Sequence, residues 1–145
     1  MLLKIIAIGK LKDKTFKERC DEYAKWLSTY AKLEIKELPD STPEKEAIAI
    51  LKELEKDKGA FIVSMSEEGQ QCTSRQFAEM LDKAARKVVF IIGGPNGIAP
   101  EVKQQAGKLL SLSKMTFTHE FARLILLEQL FRAANILNGG HYHRD

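Results

Sequence analysis

Residues 88–92, VVFII, form an unbroken, largely β-branched run that opens directly into GGPNGIAP, a loop with three glycines and two prolines. A run with no polar position on either side predicts, with Lys87 before it, a central parallel strand covered by helices on both faces. Parallel neighbours need crossover helices, and the rest of the chain supplies them. LLKIIAI (2–8) reads as a strand, and residues 15–31 place Phe16, Cys20, Tyr23, Ala24, Leu27 and Tyr30 on one helical stripe. LEIKEL (33–38) alternates as a half-exposed strand does. Thr42 before Pro43, or Ser41 with Glu44 as a capping box, starts the next helix. FIVSM (61–65) is a strand, and the box Thr73 to Gln76 opens a helix with Phe77, Met80, Leu81, Ala84 and Ala85 turned inward. Pro100 fits the first turn of a short helix, LLSLSKM (109–115) a last strand, and residues 119–138 a long helix stopped by Gly139 and Gly140. The order βαβαβαβαβα predicts an α/β fold, an open, mostly parallel sheet with helices on both faces, in one domain over 1–145.

The last helix carries Leu124, Ile125, Leu126, Leu127, Leu130, Phe131, Ala133, Ala134, Ile136 and Leu137 around most of its circumference. A helix apolar all round is buried on more than one side, so a homodimer interface is expected on the face the sheet leaves free.

No apolar run reaches the length of a membrane span, and the N-terminus lacks a basic leader and cleavage site, so a cytosolic, cytoplasmic protein is expected. Cys20 and Cys72 have neither disulfide nor metal-ligand spacing and read as free thiols; no metal site is expected. The net charge of +3 hides a segregation. Residues 20–85 carry nine Lys or Arg against fourteen Asp or Glu, whereas residues 86–145 carry eight against four, and Lys10, Lys12, Lys14, Lys17 and Arg19 cluster after the first strand. Such asymmetry permits contact with a polyanion at both ends of the chain.

In an open α/β sheet, ligands bind beyond the carboxyl ends of the strands, which is where Gly93, Gly94, Pro95, Asn96 and Gly97 fall. No Lys-Ser or Lys-Thr follows these glycines, which removes the triphosphate-binding P-loop; the spacing GGxxG after a fourth strand is a poor dinucleotide fingerprint. Backbone at close range with few charges suits an adenosine-type ligand, while a plain tight turn remains open on the loop alone. LSLSKMTFTHEF (110–121) offers a second backbone wall at a strand end. The tail GGHYHRD (139–145) adds two imidazoles, a phenol, a guanidinium and a carboxylate after two flexible glycines. A non-catalytic dimeric module and an oxidoreductase with a degenerate dinucleotide loop are the competing readings.

FIIGGPNG, then SLSKMTFTHEFARLILLEQLFRA, then the terminal HYHRD, with IIAIGKLKDK at the start, together resemble the RlmH type of SPOUT-class RNA methyltransferase over the whole chain. The resemblance implies a carboxyl-terminal trefoil knot, S-adenosylmethionine (S-adenosyl-L-methionine) as methyl donor, and a homodimer. It also implies N3 of a pseudouridine in large-subunit ribosomal RNA as target, presented by the ribosome, with no membrane or DNA partner. Position by position, it implies cofactor binding by Met65, Gly93, Leu112, Ser113, Lys114, Met115, Thr116 and Phe117, and an RNA-facing role for Arg123, Arg132, Tyr142, His143 and Arg144. Met65 stands where leucine is usual in the family, and Thr118 where many members have proline.

Methyl transfer from a sulfonium is an in-line displacement, so the catalyst's main task is near-attack positioning. A uracil-type N3 is protonated at neutral pH and its proton must be accepted. The expected catalytic set is His143 as proton handler, Arg144 or Arg123 on a carbonyl or phosphate, and Tyr142 stacked on the base.

Overall fold

The computed structural model describes residues 1–145. Five parallel strands, β1 (Leu2–Ile8), β2 (Lys32–Leu38), β3 (Phe61–Gln70), β4 (Val88–Ile92) and β5 (Lys108–Leu110), form one sheet in the order β2-β1-β4-β3-β5. β4 is the middle strand and every residue in it is buried. Alternation along β1 and β4 sorts the core onto the two faces. Leu3, Ile5, Ala7, Val88, Phe90 and Ile92 face α1 (Lys14–Leu27), α3 (Ser74–Ala84) and α5 (His119–Leu137). Ile6, Ile8, Val89 and Ile91 face α2 (Pro43–Leu54) and the short α4 (Pro100–Lys103).

Helix starts fall where side-chain caps put them. The Thr42 hydroxyl accepts from the Lys45 amide with Pro43 in the first turn, which decides between the two start signals. Thr73 and Gln76 form the complete reciprocal box, and Thr118 caps α5 by accepting from the Phe121 amide.

Several boundaries differ from expectation. α1 ends at Leu27 rather than residue 31, leaving Tyr30 in a turn. Ala85 is exposed in the left-handed conformation at φ 50°, so it terminates α3 instead of joining its inner face. β3 runs on to Gln70 through a bulge, with Met65 and Gln70 both paired to Leu110. Gly69 allows that fold-back, because a Cβ there would lie 2.5 Å from the Leu109 carbonyl carbon. The last strand is only three residues long, since residues 111–118 leave the sheet and cross towards the end of β1.

The apolar circumference of α5 is largely satisfied within the single chain. The sheet lies beneath it, and α1 and α3 flank it on either side. What remains uncovered is a strip of aromatic surface along α1 and α5: Trp26 and Phe121 are 39% and 49% exposed, and Phe131 packs against Trp26 with ring centroids 5.7 Å apart. No helix is long and apolar enough to cross a membrane.

Candidate active site

The crossing segment and the glycine loop meet at the carboxyl ends of β3 and β4. Between them lies a cavity of about 740 Å³, large enough for a nucleoside-sized ligand. Ile92, Gly93, Gly94, Pro95, Gly97 and Ile98 form one wall; Leu112, Ser113, Met115, Thr116, Phe117 and Thr118 form the other. Met65, Ser66 and Glu67 close the β3 side, and His119, Glu120 and Ala122 bring the first turn of α5 to the opposite rim.

Two features keep the walls close to the cavity with little side-chain bulk. A Cβ on Gly93 would stand 2.8 Å from Ile98 Cγ1 and 3.0 Å from the Gly97 carbonyl group, so only glycine fits the present loop. The crossing wall is held by its own hydroxyls. Ser111 Oγ donates to the Ser113 carbonyl at 2.8 Å, the Met115 amide donates to Ser113 Oγ at 3.0 Å, and Thr116 Oγ1 donates to Glu67 Oε2. Asn96 Nδ2 ties the tip of the glycine loop to the Ser41 carbonyl at 3.1 Å.

A family model described as "Predicted SPOUT methyltransferase" matches residues 1–143. A curated relative from Bacillus cytotoxicus, "Ribosomal RNA large subunit methyltransferase H", is 42% identical over 161 aligned positions covering 99% of this chain and all of the relative, as is its namesake from Bacillus thuringiensis. The chain belongs to the SPOUT methyltransferases. Solved structures agree at the level of fold. The TrmH/SpoU tRNA modifying enzyme of A. aeolicus superposes with a TM-score of 0.54 at 15% identity, covering 94% of this chain and 77% of that one. The SpoU methyltransferase AviRb of Streptomyces viridochromogenes, solved with AdoMet, gives 0.54 at 12%, covering 97% and 59%.

In this SPOUT methyltransferase, seven of the eight residues expected at the cofactor line the cavity: Met65, Gly93, Leu112, Ser113, Met115, Thr116 and Phe117. Lys114 does not; it is exposed. Glu67, Lys103, His119 and Glu120 also line it. Glu67 reaches the rim through the β3 bulge, and Lys103 through α4 with a 2.6 Å bond to Glu68; neither has a sequence signature. His119 packs its ring beside Gly9, and its Nδ1 is buried without a partner.

Arg123 is only 3% exposed. It pairs with Glu37 Oε2 at 2.6 Å and donates to the Gly9 carbonyl at 3.0 Å. In this arrangement it anchors the end of β1 to β2 and α5.

The tail is ordered, and its glycines are tight rather than flexible. Gly139 turns at φ +72°, and a Cβ on Gly140 would overlap the buried Asn135 side chain at 2.3 Å. The Gly140 amide donates to the Asn135 carbonyl and the Tyr142 amide to Asn135 Oδ1, both at 2.9 Å. Tyr142 stacks edge-on against Phe131 at 4.8 Å beneath the Arg132 guanidinium. Burial, the Tyr23 hydroxyl and the Glu128 carboxylate push its phenol above the ordinary range. Asp145 takes a two-pronged bond from Arg75, which with His143 lowers its carboxyl to about 2.

His143 is engaged at both nitrogens. Arginine can only donate, so Nδ1, 3.1 Å from Arg132 Nη1, is an acceptor, and Nε2 carries the proton towards Asp145 at 2.9 Å. A proton-accepting role therefore requires Arg132 to be exchanged for substrate. Arg144 is exposed and has no ion pair.

None of residues 139–145 lines the cavity. At 1.5 Å per residue α5 carries the chain about 28 Å away from the His119 rim, and the tail turns back only as far as Glu128 and Arg75.

Proposed function

We propose that this chain is an S-adenosylmethionine-dependent methyltransferase that acts as a homodimer on N3 of a pseudouridine in large-subunit ribosomal RNA, on the ribosome in the cytoplasm. The observation that carries the reading is the cavity between the Gly93 loop and the Leu112–Phe117 wall, in a chain 42% identical end to end to proteins named for large-subunit rRNA methylation. The lining fits the cofactor. Backbone at Gly93 comes as close as a missing Cβ allows, Ile92, Ile98, Met65 and Leu112 offer apolar contact for a purine, and Glu67 and Glu120 place negative charge beside a cation. When bound, the cofactor supplies an electrophilic methyl on a sulfonium. The crossing of residues 111–118 past the glycine loop is read as the threaded limb of a trefoil knot.

The protein's share of the work is to hold N3 in line with the methyl, an arrangement worth about 7–11 kcal/mol of the barrier, and to remove the imide proton. The cavity rim and the tail of the same protomer lie apart, so a partner's tail is assigned to the second task. The aromatic strip of exposed Trp26 and Phe121 with half-buried Phe131 is the surface through which two copies meet across a two-fold axis. Within the tail, Tyr142 stacks on the base, His143 handles the proton once released from Arg132, and Arg144, the unpaired guanidinium, takes the carbonyl or phosphate contact expected of this residue or Arg123.

Methyl-labelled cofactor incubated with ribosomes, separated subunits and naked rRNA is expected to label one N3-methylpseudouridine in the large-subunit RNA of intact ribosomes. Label in another nucleoside, or none, rejects the reading. Sedimentation as a monomer at micromolar concentration rejects the dimer. Gly93→Val is expected to weaken S-adenosylmethionine binding in calorimetry at least about tenfold, or about 1.4 kcal/mol, because the new side chain displaces Ile98 and the Gly97 carbonyl group; unchanged affinity removes the glycine loop from the cofactor site.

A further inference from the structure

We propose that the connection between β1 and α1, residues 9–17, is the surface on which the phosphates of the RNA substrate dock, held in place by the α5 residues that form the cavity rim. The proposal rests on the methyltransferase reading above and adds to it the contact surface. Residues 10–19 carry five basic side chains against two acidic ones. Lys10, Lys12 and Lys17 are exposed and have no carboxylate partner, and Lys14 meets Glu18 only at 4.0 Å. Of the acidic side chains nearby, Asp13 caps α1 through the Thr15 and Phe16 amides at 2.8 and 3.1 Å, Glu22 pairs with Arg19, and Asp21 is exposed without an ion pair.

The loop carrying these lysines is rigid. The Gly9 amide donates to the Leu38 carbonyl at 2.8 Å, Arg123 bonds the Gly9 carbonyl, and Leu11 packs into the main core. Glu120 accepts from the backbone amides of both Lys12 and Asp13, so the backbone is fixed while the lysine side chains extend into solvent. Since His119 and Glu120 also line the cavity, the loop and the methyl-transfer pocket are parts of one rigid unit. An RNA strand laid along Lys10, Lys12 and Lys17 would be registered relative to the pocket with no separate binding domain. Phosphate contacts of this kind position a nucleic acid without reading its sequence.

The test compares the triple variant Lys10→Glu/Lys12→Glu/Lys17→Glu with a control of equal charge, Lys32→Glu/Lys52→Glu/Lys58→Glu, whose exposed lysines lie towards the opposite end of the sheet. Fluorescence anisotropy of a labelled, uridine-rich single-stranded RNA is followed across a KCl series. The loop variant is expected to lose at least tenfold in affinity at low salt, and its slope of log affinity against log salt to shrink by about 2, as three lost contacts on a single strand require. The control keeps its slope. Equal weakening in both, or no change in the loop variant, overturns the proposal. Calorimetry with S-adenosylmethionine, and the milder Lys→Gln triple, separate lost docking from lost folding. RNA binding is read here without turnover. Wild-type protein that fails to methylate ribosomes therefore sinks the catalytic reading alone, and unchanged RNA binding by the loop variant sinks the docking surface alone.

Discussion

Truncation after Gly140 is expected to lower methyl transfer to ribosomes by about 10²–10⁴-fold, the range for loss of a positioned acid–base group, while S-adenosylmethionine affinity falls less than tenfold. The split follows from geometry. Residues 141–145 carry His143 and Arg144, but no tail residue touches the cavity of its own protomer. If the tail serves the partner's cavity, activity lost in one chain is restored by mixing. In a one-to-one mixture of the truncated chain with full-length Gly93→Val, half of the dimers pair one of each. Each mixed dimer has one site with an intact cavity facing an intact tail, so, with S-adenosylmethionine held well below the Kd of the Gly93→Val cavity, about a quarter of wild-type activity returns if the two-fold assembly is random. Recovery near zero, with dimers shown to exchange, places the tail's action in its own protomer and rejects the composite site. Far-ultraviolet circular dichroism guards against a trivial result, since truncation also removes the Arg75–Asp145 contact.

Local chemistry carried most of the fold into the sequence. The all-apolar VVFII predicted the central strand, and the Thr42–Pro43 and Thr73–Gln76 signals placed helix starts correctly because capping is decided by residues three or four apart. What escaped is set by residues far apart. Residues 66–70 form the outer part of β3 only because Gly69 lets them close on Leu109. Residues 111–115 alternate well enough for a strand, yet leave the sheet to build the cavity wall. The apolar girth of α5 was legible, but not that α1 and α3 would cover most of it. The glycines at 139 and 140 read as flexible, and the buried Asn135 they wrap gives no local signal. Among site residues, short contiguous motifs carried the cavity walls, whereas the burial of Arg123 had no local signal because its partner Glu37 lies on β2.

The same blindness hid the least expected feature of the core, and it carries the largest stability effect. Lys4, in the middle of an otherwise apolar strand, is 1% exposed and reaches Asp57 Oδ2 at 2.6 Å and Glu53 Oε1 at 3.0 Å, with Lys87 on Asp57 Oδ1 and Lys56 on Glu53 Oε2. Lys4→Met is expected to destabilise the protein by about 3–5 kcal/mol, because it leaves two buried carboxylates short of a cation. That corresponds to a fall in Tm on the order of 10 °C for a chain of this size. The pH dependence separates this cause from lost packing. Burial alone would raise the carboxyls of Glu53 and Asp57, but the bonds from Lys56, Lys4 and Lys87 reverse it and hold both below the ordinary range. Their contribution in the wild type is therefore full above the unfolded value, about 4, and is lost as pH falls through the lower folded values. Lys4→Met removes one of the two cations on each carboxylate, so their folded values rise from the lowered position and the contribution they make above about pH 4 shrinks. Urea unfolding from neutral pH down through the carboxylate range should therefore show a smaller loss of stability on acidification for the variant than for the wild type. Parallel curves would show that Lys4 stabilises the sheet by packing and not through the carboxylates.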